Sequence, residues 1–241
     1  MKLTRTLSLA TATCVALSGM AASQSWQPLK NEAPFLGDTM VLFQDGSLMV
    51  HEYSAQNKQT ISHNWKLTPD NTGSYLNGTW TQLASLPSGY GPLYYSSQVL
   101  PDGRVIYEGG EYNFGMPVET KLGAIYDPLK DTWTSTTAPS GWGSIGDAQS
   151  VVLPNGTYMQ ANEGTTQEAL LNATTLTWTT TGTGKADINS EEGWNLLQNG
   201  FVLTVDTFNF TNPRNSEVYS PKTGSWQSAG DTQVQLWDTH D

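Results

Sequence analysis

The chain has 241 residues, with 22 acidic against 11 basic side chains, a net charge of −11 and a single cysteine. This length suits one sizeable domain with its own core, and the acidic balance disfavours nucleic acid and anionic membranes as partners. The one cysteine, Cys14, lies close to the N-terminus, so no disulfide, thiolate metal site or cysteine nucleophile is expected of the remainder.

Taken in order, the chain opens with Lys2 and Arg5, an apolar stretch over residues 7–20, and the small residues Ala21-Ala22-Ser23. This pattern predicts a signal peptide over 1–23, cleaved before Gln24, and hence a secreted protein, extracellular or periplasmic. The stretch is short for a bilayer span, and no later segment resembles one. Its removal, with Lys2 and Arg5, makes the chain two charges more negative. Next comes Ser25-Trp26-Gln27-Pro28-Leu29, which reads as an isolated strand.

From there the chain repeats. Asp45-Gly46, Asp102-Gly103, Asn155-Gly156 and Asn199-Gly200 each stand between two apolar runs, such as Val41-Leu42-Phe43 and Leu48-Met49-Val50. Asp-Gly and Asn-Gly are strong hairpin signals, and a type I′ turn, with positive φ at both central residues, is the expectation here. A tryptophan recurs in phase as Trp80, Trp133, Trp178 and Trp226, and turns precede the last three at Asp127-Pro128, Asn172-Ala173 and Ser220-Pro221. Four short strands per unit are therefore predicted near 40–87, 96–139, 147–184 and 191–230, with no helix of useful length. Such a sheet needs a neighbour on each face, and sheets arrayed about an axis supply it. The expected fold is all-β, a propeller of four-stranded antiparallel blades, one domain over 24–241. About four blades are expected in an incomplete ring, which would leave a face open to self-association.

The segments LPDGRVIYEGG and YDPLKDTWT resemble the kelch motif, in the style of secreted bacterial and fungal kelch proteins grouped with galactose oxidase. The match is specific over 96–139 and weaker elsewhere, where Asn162-Glu163, Asp206-Thr207 and Glu52-Tyr53 stand in place of Gly-Gly. The resemblance implies an exported enzyme or a binding propeller. In the galactose-oxidase group copper is held by tyrosines and histidines, with one tyrosine linked to a cysteine. A chain without a thiol after cleavage cannot build that cofactor, so copper is not expected.

Loops at the propeller ends are the places for chemistry. Asp38, Tyr95, Asp147 and Glu191-Glu192 fall in phase before the inner strands, and His240-Asp241 stand where a further set would begin. Glu52, Glu108 with Glu111, Glu163 and Asp206 follow the second strands. By propeller geometry both sets lie near one channel mouth, where carboxylates could bind Ca²⁺, another cation or a polyhydroxylated ligand. The alternative is solvated loop acids that cap backbone N–H groups. No catalytic set is recognisable: His51, His63 and His240 lack metal-ligand spacing, and neither a nucleophile elbow nor a phosphate loop occurs. Tyr90, Tyr94, Tyr112, Phe114, Phe208 and Phe210 near loops would suit a carbohydrate surface, whereas Trp142 and Trp194 suit packing between blades. Asn77, Asn155, Asn172 and Asn209 are N-glycosylation sequons. The sequence therefore favours a secreted module that binds glycan or protein through its loop face, with an exported enzyme or a truncated propeller as alternatives.

Overall fold

The computed structural model describes residues 26–54 and 59–236. The predicted signal peptide with Cys14, and His240-Asp241, lie outside the described residues. Blade 1 contains β1 (Leu36–Leu42), β2 (Leu48–Ser54), β3 (Gln59–Thr68) and β4 (Thr79–Gln82). A short strand β5 (Pro92–Leu93) precedes blade 2, which takes β6 (Ser96–Val99), β7 (Val105–Glu108), β10 (Gly123–Asp127) and β11 (Thr132–Ser135). Between them β8 (Tyr112–Asn113) and β9 (Met116–Pro117) join β5 in a separate three-stranded sheet, in the order β5-β8-β9. Blade 3 holds β12 (Ser150–Val152), β13 (Tyr158–Ala161), β14 (Glu168–Asn172) and β15 (Thr177–Thr181). Blade 4 holds β16 (Asn195–Leu196), β17 (Val202–Val205), β18 (Asn215–Ser220) and β19 (Ser225–Asp231). The four-stranded sheets are antiparallel meanders, and the inner strands β1, β6, β12 and β16 are successive neighbours. This is the arrangement of β-propeller blades. One 3-10 turn, Tyr75–Asn77, is the only helical element among the described residues.

The blade-opening turns differ from the sequence expectation. Glycine alone takes positive φ, at 81° for Gly46, 86° for Gly103, 83° for Gly156 and 84° for Gly200. In each, the glycine N–H donates to the carbonyl three residues back, on Phe43, Leu100, Leu153 and Leu197. These are type I turns closed by a glycine bulge. Pro101 and Pro154 occupy the first central position, which suits their fixed φ. Asp45, Asp102, Asn155 and Asn199 occupy the second, and each side chain accepts from the backbone N–H two residues on, at 2.9–3.1 Å. The Asx hydrogen bond, rather than a left-handed Asp or Asn, explains these residues. Asn77-Gly78 is not a hairpin turn: Gly78 has φ −59° and ends the 3-10 turn.

Side chains alternate between the two sides of each sheet, so each blade is packed by its neighbours. Phe43 and Met49 of blade 1 meet Val105, Tyr107, Ala124 and Tyr126 of blade 2. On the other side of blade 2, Ile106 and Ile125 meet Tyr158 and Leu171. Met159 then meets Val202, Tyr219 and Trp226. Each large buried side chain contributes roughly 1.5–3 kcal/mol. The phased tryptophans fix the rotation between sheets. Trp133 Nε1 donates to Ala84 O and Trp178 Nε1 to Thr137 O, the chain just after the preceding blade. Trp80, in the first described blade, donates instead to Asn31 O at 3.1 Å. There the N-terminal segment covers the outer part of blade 1, with Phe35 stacked 5.0 Å from Trp65. Among the described residues nothing covers the inner part of that face: Met40 is 61% and Leu42 56% exposed.

Candidate functional site

The loops that join second to third strands, and blade to blade, lie at the end opposite the Asp/Asn-Gly turns. Blade 2 carries the longest, residues 109–122, folded as the β8–β9 hairpin. Asn113 straps it down, donating to Gly89 O at 2.9 Å and accepting from Gly91 N at 2.8 Å. Phe114, at φ 50°, donates its N–H to Gly91 O. A Cβ at Gly91 would lie 2.5 Å from the Phe114 ring, so glycine is required there. The anchored hairpin presents Met116 and Val118, 67% and 48% exposed. Tyr94, 59% exposed, stands against Tyr112 with ring centroids 6.1 Å apart. This exposed apolar group contrasts with the acids beside it. Glu119 is an exposed acid whose pKa is pushed up to about 7, first by partial burial and then by the charges of Asp147, Glu163 and Glu111. Those carboxylates come from blades 2 and 3, so the rim is acidic across a blade boundary.

Tyr94 has φ 52°, costly for an aromatic residue. The turn sends successive rings apart: Tyr94 faces the rim, while Tyr95 packs 4.6 Å from Tyr107 and 5.4 Å from His51. Asp38 lies beside this group, its Oδ2 3.7 Å from His51 Nδ1. His51, whose spacing in the sequence offers no metal-ligand pair, is fully buried at the contact between blades 1 and 2.

The other sequence candidates divide by burial. Glu111, Asp147 and Glu163 lie at the acidic rim, and Ser190 Oγ donates to Glu163 Oε1 at 3.1 Å. Glu191 is exposed, at φ 54°. Glu108, Glu192 and Asp206 do not stand at an open mouth. Glu108 is fully buried, accepts from Thr136 Oγ1 at 2.7 Å, and has its pKa raised by burial to about 8. Glu192 is ion-paired to Lys185 at 3.0 Å and accepts from Gln149 and Thr204. Lys185 also reaches Glu217 at 3.1 Å, so this buried network joins blades 3 and 4 rather than facing a ligand. Asp206 Oδ2 accepts from Asn209 and Asn215. Glu52 lies on the open side of blade 1, where it accepts from Trp65 Nε1 at 2.7 Å and meets His63 Nδ1 at 3.3 Å. Trp142 is buried and Trp194 packs on Trp226, as their sequence context suggested. Asn77, Asn155 and Asn172 are exposed, whereas Asn209 is half-buried against Asp206.

Among the described residues, no three His, Cys, Asp or Glu side chains converge into a group able to hold a metal ion. None of the helices there is long and apolar enough to cross a membrane. A groove of about 790 Å³ lies at the opposite end between blades 3 and 4, lined by Pro154, Leu196, Phe201 and Pro221.

No protein-family profile matches the chain, and no curated protein matches it in sequence. Solved structures do match in fold. YjhT superposes with a TM-score of 0.59 over 83% of this chain and 67% of its own length, at 12% identity. A catalytically inactive variant of virginiamycin B lyase from Staphylococcus aureus, in complex with quinupristin, gives 0.51 at 11% identity. The selenomethionine form of that lyase gives 0.51 at 10%. Both lyase matches cover 78% of this chain and 53% of the lyase. The chain thus spans about two thirds of one neighbour and half of the other, and at such identities the likeness is one of fold: the chain is a β-propeller.

Proposed function

We propose that the protein is an exported propeller of kelch type whose rim binds neutral carbohydrate. One observation carries the reading: an anchored hairpin holds Met116 exposed and Tyr112 half-buried against the exposed ring of Tyr94, beside the carboxylates of Glu111 and Glu119. Aromatic faces stack on the apolar faces of sugar rings, and carboxylates and amides accept from the hydroxyls. The net charge of −11 argues against anionic polymers as ligands. The reading assigns the rim no catalytic step and no copper. Its test is retention of the secreted protein on neutral and acidic polysaccharide columns, beside the Tyr94→Ala/Tyr112→Ala double variant. Retention on a neutral polymer that the double variant loses supports the reading. Retention only on acidic polymers, or equal retention of both proteins, sinks it.

A second reading concerns self-association. Leu36, Met40 and Leu42 leave an apolar strip of β1 uncovered among the described residues, and such strips favour burial. Light scattering that finds a monomer at all concentrations would remove it.

A further inference from the structure

Blade 1 is irregular around His51, where it meets blade 2. The β1–β2 register shifts between Gly37 and Met40, and the β2–β3 register shifts between His51 and Tyr53. Bulges re-aim side chains and are frequent beside functional sites. Here the first leaves Asp38 near the imidazole, and the second brings Ile61 O within 2.5 Å of His51 Nε2. A carbonyl only accepts, so Nε2 carries a proton, and in the Nε2–H tautomer Nδ1 is an acceptor. Nδ1 has no hydrogen bond, and neither does Asn64 Nδ2, although both atoms are buried; the buried Tyr95 hydroxyl lies against the hydroxyls of Thr39 and Tyr107. Asn64 pairs with His51 across β2–β3, and its Oδ1 accepts from Tyr107 Oη at 3.3 Å. One acceptor, one amide donor and one hydroxyl thus stand on neighbouring side chains, beside the half-buried carboxylate of Asp38. Buried polar groups are rarely left unpaired in this way.

We propose that this polar group is a subsite for the vicinal diol of a neutral sugar, a deeper part of the rim and resting on the glycan reading above. One hydroxyl donates to His51 Nδ1 and accepts from Asn64 Nδ2. Its neighbour donates to Asp38 and accepts from the Tyr95 hydroxyl, which stays protonated in its buried setting. Anions are repelled by Asp38, and a cation would meet the amide donor of Asn64. The Tyr94-Tyr95 turn ties the two parts together, one ring for the sugar face and the next for its hydroxyls.

The test uses the wild-type full chain and nitrogen-15 spectra of the histidine rings and the backbone amides during titration with lactose and with cellobiose. The expected result is a saturable shift of the His51 Nδ1 resonance with one of these sugars, together with shifts at Tyr94 and Tyr112. Tyr95→Phe keeps the ring packing and removes the hydroxyl, and is expected to weaken that binding about tenfold, the loss of one hydrogen bond. Shifts at Tyr94 and Tyr112 with His51 unmoved, or unchanged affinity in a folded Tyr95→Phe, would overturn the subsite and leave the rim reading standing. No response anywhere to either sugar would overturn both.

Discussion

Replacing Glu108 with glutamine should make the protein more stable in alkaline solution, by an amount that grows with pH. The Glu108 side chain closes β7 in the contact with blade 3, fully buried, with Thr136 donating to one oxygen. The other oxygen sits where a Cβ on Gly123 would lie, 2.1 Å from that position. Burial raises the carboxyl from 4.5 to about 8, so the folded protein holds this proton when the unfolded chain has released it. A raised folded pKa gives stability that is fully present below the unfolded pKa and is lost as pH rises through the folded one. The loss therefore begins near pH 5 and is complete above about pH 8. At 1.36 kcal/mol per pH unit it reaches at most about 5 kcal/mol. Glu108→Gln keeps the shape and the acceptor for Thr136 but cannot ionise. Glu168 and Glu192, raised by burial to about 8 and about 7, are common to both proteins and cancel in the difference. Urea denaturation of the two proteins across pH 5–9 reads that difference directly. The two curves should nearly coincide at pH 5 and diverge by several kcal/mol at pH 9. Parallel curves would refute the burial argument.

Two glycines with similar φ separate crowding from backbone conformation. Gly182→Ala would place a Cβ 1.2 Å from Glu168 Oε2 at φ 77°, whereas Gly46→Ala at φ 81° meets nothing within 4 Å. Chemical denaturation should show a loss of roughly 1–2 kcal/mol at Gly46 and a much larger one, or failure to fold, at Gly182. Trp226→Phe removes the indole N–H that donates to Glu168 Oε2 at 2.9 Å. About 1–3 kcal/mol should be lost, and urea titration should show the loss to be smaller below pH 7, where Glu168 is neutral. Asn155→Ala deletes an exposed Asx hydrogen bond and should cost about 1 kcal/mol by the same measurement.

The turns and tryptophans made the blades legible because both recur in phase, and the structure gives each a repeated hydrogen bond. Turn type was less legible. Pro101-Asp102-Gly103 serves a type I turn with a glycine bulge as well as Asn-Gly serves a type I′ turn, and the difference lies in which residue takes positive φ. The rim hairpin escaped notice because strands of two residues carry no periodicity. Phase also named the end of the propeller where Glu108, Glu111, Asp147 and Glu192 lie, but not their depth. Glu108 is the last residue of a strand and points between blades, while Glu111, three residues on, has reached the loop. Glu192 is buried because Lys185, between the last strand of blade 3 and the first of blade 4, supplies the charge that compensates it. The His51 group depends on two register shifts, which no local sequence pattern records.

The most direct test of the account is a backbone amide shift map of the isotopically labelled protein with a neutral oligosaccharide that it retains. The account predicts perturbations gathered at residues 94–96 and 110–120. Perturbations centred instead on the groove of Pro154, Leu196 and Phe201, at the opposite end of the blades, would contradict it.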